Sequence, residues 1–245
     1  MELSDNTILI TGGSEGIGFE LARALAAKNT VLICGRSEEK LARAQERLPD
    51  VVTEVCDLTD AEQRTSLVER VLRSHPALNV LINNAGGREQ VDLASGEGVE
   101  AALAHDLALN FTAPVDLCGR LLPHLQKKPR AAVVNVTTGL VYLPKAAQPF
   151  YCAAKAALHS YSQSLRWALR GSSVKVFEVM MPLVDTGFHK GTLPTNLRAM
   201  SAEEVTRDAL AALERGRGEI LVGKSAVARW VSLLAPSRGL AIVNR

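Results

Sequence analysis

"TILITGGSEGIG", residues 7–18, is the stretch whose reading decides the fold. A β-favouring run, Thr7–Thr11, ends at a glycine pair. Gly16 and Gly18 then flank Ile17, and Ile17, Leu21 and Leu25 recur at i, i+4 and i+8, one face of a helix. A strand that turns through glycines straight into a helix opens a βα unit. Glycines let the backbone approach a diphosphate, and the helix N-terminus offers unpaired N–H groups and the positive end of its dipole. Gly12, Ser14, Gly16, Ile17 and Gly18 are therefore candidate dinucleotide-binding residues. A glycine-rich turn without a ligand is the plain alternative; the strand before it and the helix after it favour the ligand.

Outward from this unit the pattern repeats. "TVLIC" (30–34), "VVTEVCD" (51–57), "NVLINNAG" (79–86), "AAVVNVTT" (131–138), "VKVFEVMM" (174–181) and "GEILVG" (218–223) read as strands. Helical runs lie between them. Ser37 can cap the second helix, a third spans about 61–74, a long region covers about 98–127 with Pro114 as a break, another begins at Tyr151, and one lies near 201–215. Strands apolar on both faces belong in a parallel sheet covered by helices on each side. The expectation is an α/β doubly wound Rossmann fold: one seven-stranded parallel sheet in one domain, residues 1–245. The irregular segment 184–200 follows a strand's carboxyl end and is well placed to act as a lid. With the helix after it, 184–215 is the candidate substrate-loop region.

Composition narrows the classes. A chain of 245 residues, 47% of them hydrophobic, can bury one large core. The net charge of +2 without a long basic run argues against nucleic acid. Cys34, Cys56, Cys118 and Cys152 have no CxxC spacing and read as buried free thiols. The five histidines show no metal spacing, so no metal is expected. No secretory signal opens the chain, and no apolar run reaches the ~18 residues of a membrane span. The expected location is the cytoplasm. The tail after Ser225, with arginines among Trp230, Leu233 and Ile242, can serve as an amphipathic membrane or partner surface, but packing on its own domain or a subunit interface is favoured.

The second strand ends "CGRS". Gly35 stands where an NAD-binding protein places a carboxylate for the ribose 2′-hydroxyl, and Arg36 follows. A missing carboxylate removes repulsion toward a 2′-phosphate, and a guanidinium can pair with it. This favours NADP over NAD; Ser37 can add a hydroxyl, while Glu15 counts against a bound phosphate. Far along the chain, "YCAAKAALHSY" (151–161) places Tyr151 and Lys155 one turn apart on one helix face. A free phenol has a pKa of about 10. A cation beside it favours phenolate and moves it toward the working range of an acid/base.

"TGGSEGIG" is joined by "CDL" (56–58), "NNAG" (83–86), "LNFTAP" (109–114), "NVTTG" (135–139) and Tyr151-x-x-x-Lys155. In this order and spacing the chain resembles the short-chain dehydrogenase/reductase (SDR) family over nearly its whole length. "MPLVDT" and the C-terminal tail resemble a bacterial branch named for the D-alanyl-lipoteichoic-acid operon. The resemblance implies that Asp57 and Leu58 hold the adenine. It implies that Asn84, Ala85 and Gly86 line the cofactor, and that Asn110 sits at a helix break and holds a proton-relay water. Thr138 stands where the family usually has serine. Tyr151 is the implied general acid/base, with Lys155 on the nicotinamide ribose. Pro182, Val184 and Thr186 are implied at the nicotinamide end, with Leu183 replacing the usual glycine. The implied activity is NADP-dependent hydride transfer between nicotinamide and a small-molecule carbonyl/alcohol substrate, by a homodimer or homotetramer. The alternatives are an NADP(H)-binding redox sensor without turnover, and a nucleotide-sugar epimerase. An intact Asn110, Tyr151 and Lys155 argue against the first, and the chain's length against the second.

Overall fold

The computed structural model describes residues 1–189 and 199–244. In chain order the elements are β1 (Thr7–Thr11), α1 (Gly16–Ala26), β2 (Thr30–Gly35), α2 (Glu38–Arg47), β3 (Val52–Val55), α3 (Ala61–Ser74), β4 (Val80–Asn83) and α4 (Val99–Leu107). A π-helical turn at Ala108–Thr112 leads into α5 (Ala113–Leu125). Then come β5 (Ala131–Thr138), α6 (Pro149–Ala168), β6 (Val174–Met181), β7 (Val184–Asp185), β8 (Met200–Ser201), α7 (Ala202–Glu214), β9 (Glu219–Leu221), α8 (Ser225–Leu234) and α9 (Pro236–Val243).

Seven strands form one parallel sheet in the order β3-β2-β1-β4-β5-β6-β9. Alternation along each strand divides the core. Ile8, Ile10, Ile33, Ile82 and Val134 face one layer, with Phe19 and Leu21 of α1 and Val205 and Leu213 of α7. Leu9, Leu32, Leu81 and Val133 face the other, with Leu67 of α3, Leu117 and Leu121 of α5 and Leu165 of α6. This is the doubly wound arrangement the apolar runs predict. The strand order reverses between β1 and β4, and the carboxyl ends part there, leaving a crevice for a ligand.

Two details differ from the sequence reading, and the tail follows it in packing on its own domain. The long helical region breaks at the π turn rather than at Pro114. That proline occupies the first turn of α5, where a missing N–H costs little. The segment after β6 begins and ends in a two-stranded parallel pair, Val184 opposite Met200 and Asp185 opposite Ser201; residues 190–198, the middle of the expected lid, lie outside the described residues. The tail forms two helices, α8 and α9, that fold back on the turn after β5. Val227, Trp230, Leu233 and Leu234 remain exposed. No helix among the described residues is long and apolar enough to cross a membrane.

Candidate active site

The site is built at the carboxyl ends of the strands. After β1 the chain turns at Gly12 (φ 65°) and Gly16 (φ 56°), left-handed conformations that glycine adopts at low cost. Asn84 ties this turn down: its Nδ2 donates to the carbonyls of Thr11 (3.0 Å) and Gly12 (3.2 Å). The Thr11 hydroxyl accepts from the backbone N–H groups of Asn84 and Ala85, both at 3.0 Å. Gly13 was not singled out by sequence, but a Cβ there would stand 2.4 Å from Ile33 Cγ2.

The helix ends provide a test of whether a diphosphate fits. Side chains cap α2 (Ser37), α3 (Asp60) and α7 (Ser201). The start of α1, like those of α4, α6, α8 and α9, has no side-chain cap; it also has no acidic residue in its first turn and opens on the cavity. Its N–H groups and dipole face the cavity unopposed, as an anion requires. Glu15, the charge that counted against a phosphate, is paired with Lys40 Nζ at 2.7 Å. Lys40 lines the same cavity. It follows Arg36 by one helical turn, a spacing that could have flagged it.

At the second strand's end Arg36 is exposed. Ser37 Oγ accepts from the Lys40 backbone N–H at 3.3 Å, so its oxygen serves as helix cap while its proton stays available. Asp57 Oδ1 accepts from the Thr59 backbone N–H (2.9 Å) and hydroxyl (2.7 Å). The Thr59 backbone bond, with the hydroxyl and nearby Arg36 assisting, holds the Asp57 carboxyl below its usual range.

A buried polar chain aims α6. Asn83 Nδ2 donates to Asn135 Oδ1 (2.9 Å), Asn135 Nδ2 donates to Ser162 Oγ (2.8 Å), and Ser162 Oγ donates to the Leu158 carbonyl (2.7 Å). Buried hydrogen-bond chains of this kind rigidify what they join, although Asn83 Oδ1 itself has no partner. Tyr151 and Lys155 are thereby held over the ends of β4 and β5, 8% and 4% exposed. Lys155 Nζ donates to the Val136 carbonyl at 3.0 Å. Burial lowers the lysine pKa to about 8, with Glu178 opposing the shift. Burial also raises the Tyr151 pKa above its ordinary value, against which the Thr138 hydroxyl bonded to the phenol acts. The expected lowering of the tyrosine pKa is therefore not met here. The phenol is desolvated, and the ammonium that would favour phenolate is itself buried and turned to a backbone carbonyl.

Asn110 lies in the π turn, fully buried. Its Nδ2 donates to the carbonyls of Gly87 (2.8 Å) and Asp106 (2.9 Å), and its Oδ1 accepts from the Gly87 N–H at 3.3 Å. The side chains of Asn110 and Lys155 meet around Gly86, where a Cβ would stand 3.1 Å from Asn110 Oδ1 and 3.6 Å from Lys155 Nζ.

One cavity of about 1680 Å³ gathers these groups. It is lined by Gly12, Ser14, Gly16, Ile17, Gly18, Arg36, Ser37, Asp57, Leu58, Asn84, Ala85, Gly86, Thr138, Tyr151, Lys155, Pro182, Val184 and Thr186; Asn110 stands just behind the wall. Thr186 reaches back to the glycine turn, its Cγ2 3.4 Å from where a Gly16 Cβ would be. Leu140, Leu143, Leu183, Val227 and Val231 make the substrate end apolar. Tyr142, which follows Thr138 on the turn after β5, is not in the lining; its hydroxyl donates to Glu219 Oε1 at 3.3 Å. Sequence reasoning missed Arg88, in the loop after β4, and Phe188, whose ring lies 5.5 Å from that of Tyr151. The four cysteines are buried and unbridged, and no cluster that could hold a metal occurs among the described residues.

A dinucleotide cradle at a topological switch point, ending at a buried phenol beside an ammonium, defines a nicotinamide-type oxidoreductase. A model of the family described as short chain dehydrogenase matches residues 6–197. The chain is 46% identical over 224 residues to an uncharacterized oxidoreductase, DltE, of Bacillus subtilis, covering 90% of this chain and 89% of that one. A short-chain dehydrogenase from Sphingobium yanoikuyae, solved in complex with NADPH, superposes with a TM-score of 0.82 at 26% identity, covering 98% and 96% of the two chains. One from Burkholderia phymatum, solved with NAD, shares the fold with a TM-score of 0.86 at 19% identity, covering 100% and 97%. The chain belongs to the short-chain dehydrogenase/reductase family, in its DltE-type branch, and is an oxidoreductase.

Proposed function

We propose that this enzyme transfers hydride between NADP(H) and a carbonyl/alcohol substrate, with Tyr151 as general acid/base. The observation that carries the reading is the layout of one cavity. Thr138, Tyr151 and Lys155 meet at one end, and Gly35 and Arg36, where an NAD site has its carboxylate, stand at the other. When bound, the cofactor supplies the hydride. The uncapped start of α1 and its glycine turn hold the diphosphate, Arg36 and Ser37 hold a 2′-phosphate, and Asp57 and Leu58 hold the adenine. Asn84, Ala85 and Gly86 form the floor, with Pro182, Val184 and Thr186 over the nicotinamide end.

In reduction, the Tyr151 hydroxyl gives its proton to the carbonyl oxygen as charge develops there. The Thr138 hydroxyl donates to the same oxygen. The phenolate left behind would be stabilised by the Lys155 ammonium one helical turn away and by the Thr138 hydroxyl, both of which oppose the pKa elevation set by burial. Asn110, with its amide against Gly87 and its oxygen toward Lys155, holds a water through which the proton is restored from solvent. The enzyme works as a homodimer or homotetramer in the cytoplasm, a state that light scattering on the purified protein tests.

The test is a panel of ketones and aldehydes with NADPH and NADH in parallel, read by loss of nicotinamide absorbance. Turnover with a preference for NADPH is expected, and Tyr151→Phe should abolish it while NADPH still binds. Full activity in Tyr151→Phe removes the role given to that residue. NADPH binding without turnover over the whole panel indicates a sensor instead.

A further inference from the structure

The geometry points to Arg88 as an anchor for an acidic group on the substrate: we propose that the preferred substrate is a carbonyl compound carrying a carboxylate or phosphate near the reacting carbon. The proposal rests on the oxidoreductase reading above and narrows its substrate class.

Arg88 follows Gly86 and Gly87 on the loop after β4 and lines the cavity, yet it is only 8% exposed. Its Nε is buried without a hydrogen-bond partner. Among the described residues no carboxylate forms an ion pair with it, and residues 190–198 contain neither Asp nor Glu. The carboxylates beside it in sequence and space are otherwise placed. Glu89 is exposed, and Asp106 Oδ1 is engaged by His105 Nδ1 and the Glu89 N–H, each at 3.2 Å, while its Oδ2 is buried without a hydrogen-bond partner and forms no ion pair with Arg88. The guanidinium carbon sits 5.5 Å from the centre of the Phe188 ring, and that ring in turn packs on Tyr151. Its charge is felt at the phenol, where it favours the ionised form.

A buried donor left unpaired is costly, and each one in a native protein calls for a reason. Two buried cations line this cavity among the described residues, Lys155 and Arg88. Lys155 is bonded to Val136. Arg88 is the one awaiting an anion. A planar guanidinium meets carboxylate or phosphate with paired hydrogen bonds, which fixes orientation as well as position. Leu140, Leu143, Leu183 and Val231 line the same cavity, apolar surface that lowers the local dielectric and strengthens a charged contact within it. An acid held on Arg88 would share the cavity with Tyr151 and Thr138, with the Phe188 ring between guanidinium and phenol to set the spacing of acid and carbonyl.

Matched probes test this: acetoacetate, its ethyl ester and 2-oxopropylphosphonate, with NADPH, on the wild type, Arg88→Met and Arg88→Lys. The wild type should favour one or both acids over the ester by at least about tenfold in kcat/KM, and which acid wins distinguishes the carboxylate from the phosphate source. Arg88→Met should lose about 30-fold or more on that acid, chiefly in KM, and at least about tenfold less than that on the ester, whose loss comes only through the phenol and falls in kcat; Arg88→Lys should recover part of the loss in KM. NADPH binding, followed by nicotinamide fluorescence, should be unchanged in both variants, which shows that they fold. Equal rates on acid and ester, or a parallel loss on both in Arg88→Met, overturn the proposal and leave the oxidoreductase reading intact. If no probe is reduced, that reading fails on these ketones. Calorimetric titration of the NADPH complex with 3-methylbutanoate and methylphosphonate, neither of which has a reducible carbonyl, then decides. Saturable binding lost in Arg88→Met supports the anchor, and no binding overturns it.

Discussion

Gly18 to alanine is a change whose sign depends on the packing of the glycine turn. By propensity alone the substitution should stabilise, since alanine in a helix is worth about 1 kcal/mol over glycine. The structure reverses that. A Cβ at Gly18 would stand 2.1 Å from the Gly12 carbonyl oxygen, 2.5 Å from Asn84 Nδ2 and 2.8 Å from the Gly12 carbonyl carbon. Ordinary contact begins at 3.4 Å, so the turn must retreat by about 1.3 Å. Two of the three atoms are backbone and cannot swing aside. Overpacking of this kind costs roughly 1–3 kcal/mol. Loss of the two Asn84 bonds that clamp the turn adds roughly 1 kcal/mol each. After the propensity gain the net is a destabilisation of about 2–4 kcal/mol, or about 5–15 °C in Tm for a chain of this size. Gly119 in α5 is the internal control. It is a helical, exposed glycine with nothing within 4 Å of its would-be Cβ, and alanine there should stabilise by about 0.5–1 kcal/mol. Urea unfolding followed by circular dichroism, with NADPH titration alongside, measures both. A Gly18→Ala protein as stable as the wild type, or more so, would refute the account of the turn.

Three further outcomes are expected. Arg36→Ala should weaken NADPH about 10- to 100-fold, the value of a charge-assisted contact, and leave NADH within about threefold, as read by paired Kd measurements. A matching loss for both cofactors would show that Arg36 does not read the 2′-phosphate. His159 Nδ1 lies 2.9 Å from Glu178 Oε2, and this hydrogen bond to the buried carboxylate raises the histidine pKa above 6.5. The bond's contribution to stability is therefore complete below pH 6.5 and is lost as the pH rises through the higher folded value. His159→Gln should differ most from wild type in acid and converge with it in alkali, and a gap that widens with pH would contradict this. Thr138→Ser should retain turnover, whereas Thr138→Val should lose it about 10²-fold or more in kcat with little change in NADPH binding. Unaltered kcat in the valine variant would remove the hydroxyl from the reaction.

The sheet was readable because its strands are nearly continuous apolar runs. β5 and β6 occupy the residues expected, and α3 runs over 61–74 as the periodicity indicates. The glycine turn and the Tyr151–Lys155 pair were readable because their spacing is itself the constraint. What escaped was structure without a period. β7 and β8 are two residues each, too short to leave a pattern, and their pairing joins positions far apart in the chain. The π turn has no compositional mark, so Pro114 drew attention that belonged to the residues before it. Arg88 reads as one more polar loop residue in "GGREQ"; its burial, its unpartnered Nε and its place beside Phe188, a hundred positions away, exist only in the folded chain. The rise in the Tyr151 pKa was not readable either, because spacing shows the neighbouring charge and not the loss of water around it.

The π turn at Ala108–Thr112 makes the helical region from α4 through α5 carry one residue more than a regular ladder would need. Each residue turns an α-helix by about 100°. Deleting a single residue from this turn would let the ladder close as ordinary α-helix. The product would be smoother and, taken by itself, better hydrogen-bonded. It would also rotate α4 against α5, so that the amide of Asn110 could no longer meet Gly87 while Leu117 and Leu121 keep their places in the core. The extra residue acts as a vernier between two alignments that a uniform helix cannot satisfy together. A shorter chain of higher helical regularity would strand that buried amide without its Gly87 partners, so the local gain in regularity is offset where the two alignments meet.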